Sequence, residues 1–478
     1  MQFIVRAAAL CIAVFHVQVA LTADLVVPDQ FPTIQEAVDQ ANSGDRVLVR
    51  SGTWIEQIEI SEGQLVIESV DGAGETTLAG DGSAGFLLSV SGADTLVELR
   101  GFTVAEGFGE AGSLGAGPGG GVLVEDATLI VNDSRFIDNA GILGGALSVI
   151  GGAVQVSGSH FDGNSALHGG AVYVESGILD VINSDFSDNV ATNFGGAIAV
   201  FWSSEATLGD SLFLGNTANQ FGGAIYTNHA EVDFRRLELT GNGQAEQGEH
   251  GGWTISTTGG GALYLADSNG RLQSSRILDN IAFAGTGLYL AGSGTLEVVN
   301  NLFAGNGAIC DCGQGVVYAN AASPVLINNT LADNGGLFGL FTTYNAFPVL
   351  RNSVVAGTGE AGQHFSPVAG NGLTEIDHSL LQGVPAAANI GDGVIVIEEF
   401  PALDPEADYT PLENSAAIDA GLNDAVPADV SVDLLDNPRF IDLTGDGPVV
   451  DIGAVERQAG EPPVEHDLIF HHGFRQAP

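Results

Sequence analysis

Short runs in which apolar and polar residues alternate recur along most of this 478-residue chain. One set of runs reads ALSV, AVYV, AIAV, AIYT and ALYL, each directly after a Gly-Gly pair. A second set reads TLIV, AVQV, ILDV and TLEVV. Alternation with a period of two predicts short β-strands, and no helical period of comparable strength lies between the runs. The chain is therefore predicted to be all-β.

The runs belong to an internal repeat that is marked by asparagine. Intervals of 25, 25, 27, 26, 38, 26 and 28 residues separate the repeated positions, which are Asn139, Asn164, Asn189, Asn216, Asn242, Asn280, Asn306 and Asn334. Phenylalanine stands three residues before five of them, at Phe136, Phe161, Phe186, Phe213 and Phe303. Short strands at one period without intervening helices predict a right-handed parallel β-helix solenoid of roughly a dozen or more coils.

Each part of the repeated phrase FDGNSALHGGAVYV has a structural role in such a solenoid. Stacked coils lie about 4.8 Å apart, so equivalent side chains form columns. The phenylalanines are predicted to fill the axis, and the asparagines to hydrogen-bond from coil to coil. The Gly-Gly pair permits a corner that a Cβ atom would forbid. The phrase by itself describes a scaffold.

Both ends of the repeat differ from its middle. Residues 34–41 predict a short amphipathic helix that caps the open end, followed by a first strand at 47–49. The N-terminus has one charge, an apolar run and then small residues, which is typical of a secretory signal peptide, so no membrane span remains after its removal. The predicted organisation is a signal peptide 1–23, an N-terminal cap with first coils 24–60, β-helix repeats 61–400, a C-terminal cap 401–457, and a linker with a sorting tail 458–478.

Three segments resemble known families. The phrases FIDN, FDGN, FSDN and FLGN with GGAL, GGAV and GGAI resemble the repeats of polymorphic outer membrane proteins, which implies a surface-exposed, adhesin-like β-helix. AAIDAG, DLLDNPR and DIGAVE, within 415–456, resemble the tail of choice-of-anchor Q proteins. IFHHGF near the C-terminus is similar to a short proteobacterial sorting tail. These resemblances imply a secreted or cell-surface bacterial protein.

Charge narrows the choice of partners. The chain has 59 acidic and 13 basic residues, for a net charge of −46. Such a charge repels nucleic acid, anionic lipid and polyanionic substrates, and it attracts cations such as calcium. A solubilising surface is the simpler interpretation of the same charge.

Tyrosine forms a second column. Five of the seven tyrosines stand two residues after the alanine position of the GGA phrase, namely Tyr173, Tyr226, Tyr264, Tyr289 and Tyr318. Strand alternation places these side chains on the outer face, where an aromatic stripe could stack on sugar rings and hydrogen-bond to them. The alternative is an aromatic ladder that packs on itself or is covered by loops.

Two further places could hold a ligand. The 38-residue interval contains an insertion, 243–260, which projects beside the tyrosine column and carries Glu246, Glu249, His250 and Trp253; a decorative loop is the alternative. Asp442, Asp446 and Asp451 resemble the first half of a calcium loop, although Gly453 stands where a bidentate Glu is needed. No cofactor other than this candidate calcium is predicted.

Catalytic signatures are weak. The sequence lacks lysine and the linear motifs of pectate lyases and polygalacturonases. The residue before each ladder asparagine is always Asp or Gly, which favours turn chemistry over a carboxylate dyad. Cys310 and Cys312 suit a structural loop.

Three functions remain open: a non-catalytic adhesin-type or glycan-binding scaffold, a polysaccharide-active enzyme with a site assembled across adjacent coils, and a calcium-stabilised surface-layer component.

Overall fold

The computed structural model describes residues 23–109, 120–243, 259–308, 315–335, 338–343, 345–357, 368–386, 388–441 and 447–458, and the backbone of 246–247 and 253–254. Within these residues the chain winds into a parallel β-helix of about 12 coils, as the repeat predicts. Successive coils contribute strands to three long parallel sheets, which we call sheets 1, 2 and 3. The predicted signal peptide, the predicted sorting tail and Cys310 with Cys312 lie outside the described residues.

The strands of the three sheets are short and in register. Sheet 1 has strands Asp24–Val27, Arg46–Val49, Gln64–Ser69, Leu96–Arg100, Thr128–Asn132, Ala153–Ser157, Ile178–Ile182, Glu205–Gly209, Glu231–Arg235, Asn269–Gln273, Leu296–Val299, Val325–Ile327, Val349–Arg351, Thr374–Asp377 and Ala388–Ile390. Sheet 2 has strands Gly52–Trp54, Thr76–Ala79, Thr103–Ala105, Arg135–Ile137, His160–Asp162, Asp185–Ser187, Leu212–Leu214, Glu238–Thr240, Arg276–Leu278, Leu302–Ala304, Thr330–Ala332, Val354–Val355, Leu380–Gln382 and Ile395–Ile397. Sheet 3 has strands Ile58–Ile60, Leu88–Ser91, Val122–Glu125, Leu147–Ile150, Val172–Glu175, Ile198–Phe201, Ile225–Asn228, Leu263–Ala266, Leu288–Ala291, Val317–Asn320, Leu340–Thr343 and Val368–Gly370.

Smaller elements decorate the coils. Three strands, Ser165–His168, Val190–Phe194 and Thr217–Ala218, form a small parallel sheet between sheets 2 and 3, which we call the arm sheet. Ile281–Ala282 pairs with Gly307–Ala308, Glu246–Gln247 with Trp253–Thr254, and Leu403–Asp404 with Thr410–Pro411. The helical elements of the described residues are an α-helix, Ile34–Gln40, and two 3₁₀ turns, Pro405–Ala407 and Asn423–Ala425.

The predicted phenylalanine column fills the axis. Phe136, Phe161, Phe186 and Phe213 are fully buried, and successive rings stack with centroids 4.6–4.8 Å apart and nearly parallel planes. This distance equals the coil spacing, so each ring sits directly on the next one. Phe303 occupies the same core cluster further along the chain.

The predicted asparagine ladder is also confirmed. Each buried asparagine from Asn139 to Asn334 lies beside the next one. Asn164 is typical: its Nδ2 donates to Asn189 Oδ1 at 3.0 Å and to the Phe136 carbonyl at 2.9 Å, and its backbone N–H donates to the same Asn189 oxygen. The ladder satisfies polar backbone atoms at a buried corner, where water cannot reach them.

The structure contains a second ladder, formed by serine side chains, which the sequence analysis did not predict. At the corner between sheets 1 and 2, the backbone N–H of Ser134 donates to Ser159 Oγ, and Ser159 and Ser184 continue the series. Further along, Asn301 and Asn329 replace the serines. Serine at one position of a 25-residue repeat would have been the signal, but the change to asparagine hides the period.

The N-terminal region differs in one respect from the prediction. Helix Ile34–Gln40 forms where it was expected and buries Ile34, Ala37 and Val38. The first strand is not 47–49, however, because Asp24–Val27 precedes the helix and pairs in parallel with Arg46–Val49. Four residues directly after the predicted cleavage site carry too short a pattern to be recognised.

The segment that follows the last coil lies along the flank of the solenoid. Residues 403–441 and 447–458, which we call the C-terminal segment, cover apolar side chains on the outer face of sheet 2, including Leu302, Ala332 and Leu380. The segment contributes Leu434 and Ile452 to that cluster. It therefore buries a face that the coils alone would expose, while the predicted domain boundaries stay predictions.

Candidate functional site

The tyrosine column forms on the outer face of sheet 3, but it is not a bare stripe. Val172 and Val174 belong to the main core, whereas Tyr173 between them lies on the opposite face, as alternation requires. Strand register places Tyr226, Tyr264, Tyr289, Tyr318 and Phe341 in one line. Tyr173, Tyr226 and Tyr318 are nevertheless buried, and Tyr264 and Tyr289 are half-buried.

Mutual stacking explains this burial. The ring centroids of Tyr264 and Tyr289 are 4.7 Å apart, those of Tyr289 and Tyr318 are 4.6 Å apart, and the planes are within 16° of parallel. We call the set from Tyr226 to Tyr318 the tyrosine ladder. Because neighbouring rings occupy each other's faces, the ladder presents ring edges rather than faces to a ligand. The alternative of a self-packing ladder thus describes the geometry, and the expected stacking of sugars on these rings is not supported.

Other aromatic side chains close the ladder where it is interrupted. Ala199 occupies the position between Tyr173 and Tyr226. Phe194 from the arm sheet and Phe201 from sheet 3 converge there, with ring centroids 4.7 and 5.2 Å from that of Tyr226. The short alanine leaves the space that these two rings fill. The aromatic surface therefore extends from the ladder to the arm sheet.

The hydroxyl groups of the ladder have polar neighbours. Tyr173 donates to Glu175 at 2.8 Å, while Asn228 donates to the Tyr226 oxygen at 3.3 Å and Asn320 to the Tyr289 oxygen at 3.1 Å. Burial raises the pKa of Tyr226 and of Tyr264, so both phenols stay protonated. The outer face of sheet 3 thus carries a row of neutral hydroxyl groups and side-chain amides.

The insertion leaves and rejoins the solenoid beside this row. Gly259, where it rejoins, is in register with Phe221 and lies against the ring of Tyr289. The backbones of Glu246 and Trp253 belong to a two-stranded antiparallel pair, in which Glu246 is opposite Thr254. Glu249 and His250 lie outside the described residues, so the role predicted for these four residues stays a prediction.

Of the three predicted calcium ligands, Asp442 and Asp446 lie outside the described residues, and Asp451 lies within them. Its carboxylate accepts the backbone N–H groups of Asp419 at 2.7 Å and Arg457 at 2.8 Å. Burial raises the pKa of Asp451 to about 6. Among the residues that the structure describes, no three His, Cys, Asp or Glu side chains form a group suited to a metal ion. Calcium binding stays a prediction.

The same region contains a buried arginine that the sequence analysis did not single out. Arg439 is fully buried and donates to Glu456 Oε2, to the carbonyls of Gly453 and Ala454, and to Asn300 Oδ1 of the solenoid. Burial, with the neighbouring charge of Asp451, raises the pKa of Glu456 to about 8. This network holds the C-terminal segment to the coils, which makes it structural.

The column of Asp and Gly before the ladder asparagines is turn chemistry, as predicted. Asp138, Gly163, Asp188 and Gly215 all adopt left-handed backbone angles, with φ from 52° to 66°. A Cβ atom on Gly163 would lie 2.5 Å from Asp138 Oδ1. The carboxylate of each of these aspartates therefore occupies the space that a side chain on the next coil would need. This explains why glycine follows aspartate in the column.

Comparison with known proteins agrees with this architecture. The family model described as right handed beta helix region matches residues 152–362 and 251–394, which together span just over half of the chain. The chain therefore belongs to the right-handed β-helix family. No protein of curated function matches the sequence significantly.

Several solved structures are similar to this chain at low identity. A pectin methylesterase variant bound to a hexasaccharide is 12% identical, with coverage of 52% of this chain and 89% of that one and a TM-score of 0.28. Tailspike protein 3 of bacteriophage CBA120 is 13% identical, with coverage of 77% and 56% and a TM-score of 0.38. The pectate lyase Pel9A is 12% identical, with coverage of 88% and 90% and a TM-score of 0.35. Within the described residues, no helix has the length and hydropathy needed to cross a bilayer.

Proposed function

We propose that this protein is a non-catalytic, adhesin-type β-helix that binds an uncharged polysaccharide along the outer face of sheet 3. The observation that carries the proposal is the row of neutral tyrosine hydroxyls at coil spacing, with Asn228 at one end of the row and Asn320 at the other. A polymer with regularly spaced hydroxyl groups can exchange hydrogen bonds with such a row at several coils at once.

The charge of the protein favours an uncharged ligand. A net charge of −46 repels acidic polysaccharides at low ionic strength. Glu175 lies beside Tyr173 and Asp267 lies close to the ladder, and both accept hydrogen bonds, which a polysaccharide hydroxyl can donate. A neutral polymer therefore satisfies the acceptors without bringing like charges together.

The test removes hydroxyl groups from the ladder and leaves the rings in place. Full-length mature protein and the double variant Tyr264→Phe/Tyr289→Phe would be run through native gels that contain neutral plant or bacterial polysaccharides. We expect the variant to lose most of the retardation seen with the wild type. Tyr409→Phe is the matched control, because Tyr409 lies in the C-terminal segment and donates to Asp333 at the end of a sheet 2 strand, away from sheet 3. Equal retardation of all three proteins would refute the proposal.

A second function, a polysaccharide lyase or hydrolase, is favoured by one residue. Asp180 stands on the outer face of sheet 1 between Gln155 and Thr207, and burial raises its pKa, as a general acid requires. Incubation with neutral and acidic polysaccharides, with assay of new reducing and unsaturated chain ends, distinguishes the two functions. New chain ends that form with the wild type but not with Asp180→Asn would show that the protein is an enzyme and not a non-catalytic scaffold.

The cellular setting is part of the proposal. The signal peptide and the similarity of 415–456 to choice-of-anchor Q tails support secretion and display at a bacterial surface. The FxxN and GGA phrases in residues 119–306 support the proposal that the repeats are of adhesin type. Calcium at Asp442, Asp446 and Asp451 would stabilise the C-terminal region in that setting.

A further inference from the structure

One tryptophan breaks the pattern of the turns that join sheet 3 to sheet 1. In neighbouring coils a single left-handed residue makes this turn, for example Ser176 or His229. The coil that ends at Phe201 has one residue more, and both Trp202 and Ser203 are left-handed, with φ of 46° and 56°. A bulky side chain in this conformation is strained.

The strained tryptophan is also exposed. Trp202 keeps 52% of its surface in contact with solvent, and its ring lies 5.7 Å from that of Phe201 at the edge of the aromatic surface. It covers no part of the core clusters. Folding alone gives no reason for a large apolar ring in this position, whereas an exposed rigid aromatic ring is typical of a binding surface.

Polar groups on the next two coils line up beneath Trp202. The Trp202 and Ser203 N–H groups donate to the carbonyls of Asn228 and His229. Asn228 Oδ1 lies 2.6 Å from His229 Nδ1, and His229 Nε2 lies 4.0 Å from Asp267 Oδ2. Asn228 also donates to the Tyr226 hydroxyl, which connects this group to the tyrosine ladder.

We propose that Trp202, Asn228, His229 and Asp267 form a sugar-binding subsite at the rim of sheet 3, which we call the rim subsite. The indole ring of Trp202 would pack on the apolar face of one uncharged pyranose, and the polar groups would hydrogen-bond its hydroxyls. This inference rests on the proposed function, because it supplies the ring face that the stacked ladder cannot offer. Asp267 makes the subsite unfavourable for an acidic sugar.

The fluorescence of Trp202 gives a direct test. The chain has three tryptophans, so the full-length mature variant Trp54→Phe/Trp253→Phe retains Trp202 as its single indole. This variant would be titrated with cellohexaose, xylohexaose, laminarihexaose and mannohexaose, and with hexagalacturonate as an acidic control. We expect a saturable change in emission with at least one neutral hexasaccharide and no change with hexagalacturonate.

Binding measured by calorimetry in the wild-type background separates the two proposals. Trp202→Ala should weaken binding of the hexasaccharide that changes the emission of Trp202, about tenfold or more. His229→Ala should also weaken it. Phe347→Ala is the matched control, because Phe347 is equally exposed at 55% but lies on a distant coil. Unchanged affinity in Trp202→Ala, with binding still lost in Tyr264→Phe/Tyr289→Phe, would overturn the rim subsite alone. If the emission of Trp202 changes on titration but Tyr264→Phe/Tyr289→Phe binds as tightly as the wild type, the proposed function is overturned and the rim subsite stands.

Discussion

At the scale of single residues, the buried asparagine ladder carries a large share of local stability. Asn189 makes four side-chain hydrogen bonds: two from Asn164, one to the Phe161 carbonyl and one to Asn216. Every partner is buried, so none can turn to water when the amide is removed. The cost of a substitution is therefore set by the partners it leaves unsatisfied.

Asn189→Ala is expected to lower the free energy of unfolding by at least about 3 kcal/mol, because each buried group left without a partner costs about 1–3 kcal/mol. Urea titration followed by circular dichroism measures the change. Asn219→Ala is the control, since Asn219 is exposed on the next coil and should change stability very little. Similar values for both variants would contradict the role of the ladder.

The alternating Asp and Gly column offers a second residue-scale test. Gly163→Ala and Gly241→Ala both place a Cβ atom at φ 64°, which costs about 1–2 kcal/mol in either case. Only Gly163 also faces a carboxylate, whereas no described atom lies within 4 Å of a Cβ on Gly241. We expect Gly163→Ala to be the more destabilising variant. The difference should disappear when Asp138→Ala is introduced as well, and its persistence would rule out the contact.

At the scale of elements, sheet 3 and the C-terminal segment show how packing decides exposure. The tyrosine column follows from strand alternation, yet its rings are covered because rings at coil spacing stack on each other. The C-terminal segment has few strands of its own and is fixed by side chains. Arg439, Glu456 and Asp451 lie within it, and Asn300 faces them from the solenoid.

This segment should weaken as the pH rises. Burial raises the folded-state pKa of Glu456 to about 8 from an ordinary value of 4.5, so the neutral form favours folding. The stabilisation is complete below pH 4.5 and is lost as the pH rises through 8. The loss should be on the order of a few kcal/mol. Melting temperatures from pH 5 to 9 would record it.

Glu456→Gln should remove most of this pH dependence, because the amide oxygen can still accept from Arg439 and Asp451 without titrating. Glu413→Gln is the matched control in the same segment, since Glu413 is an exposed partner of Arg457. A pH dependence that is the same in the wild type and in Glu456→Gln would show that Glu456 does not determine it.

At the scale of the whole molecule, the net charge of −46 dominates. Carboxylates on stacked coils repel each other over distances comparable to the Debye length, which falls from about 30 Å at 0.01 M salt to about 8 Å at 0.15 M. Exposed pairs such as Arg50 with Asp29 oppose this repulsion only weakly. Self-repulsion should therefore limit the stability of the protein at low salt.

We expect the melting temperature to rise by several degrees between 0.01 and 0.15 M sodium chloride, because screening reduces this repulsion. Choline chloride at equal ionic strength should act alike, and calcium chloride should exceed both if the predicted calcium ligands bind the ion. A melting temperature that falls with salt would mean that ion pairs outweigh the repulsion.

Much of this architecture was predictable because a solenoid repeats one local pattern. The Phe161, Asn164 and Gly169 positions each recur at the coil period, so strand order, register and core followed from spacing. The serine ladder was missed because asparagine replaces serine along it. The rim subsite was missed because the turn at Trp202 differs from its neighbours by one inserted residue, and the intervals of the repeat vary by that much elsewhere.

The sequence by itself determined the fold class, the axis of phenylalanines, the asparagine ladder and the turns at the Asp and Gly column, since each depends on residues at fixed spacing along one chain. Only the tertiary structure decided which outer faces are covered. Contacts such as Arg439 with Asn300 join positions 139 residues apart, and no period relates them. Exposure depends on everything that packs against a side chain, and for Tyr226 this includes Phe194 and Phe201 of the preceding coil.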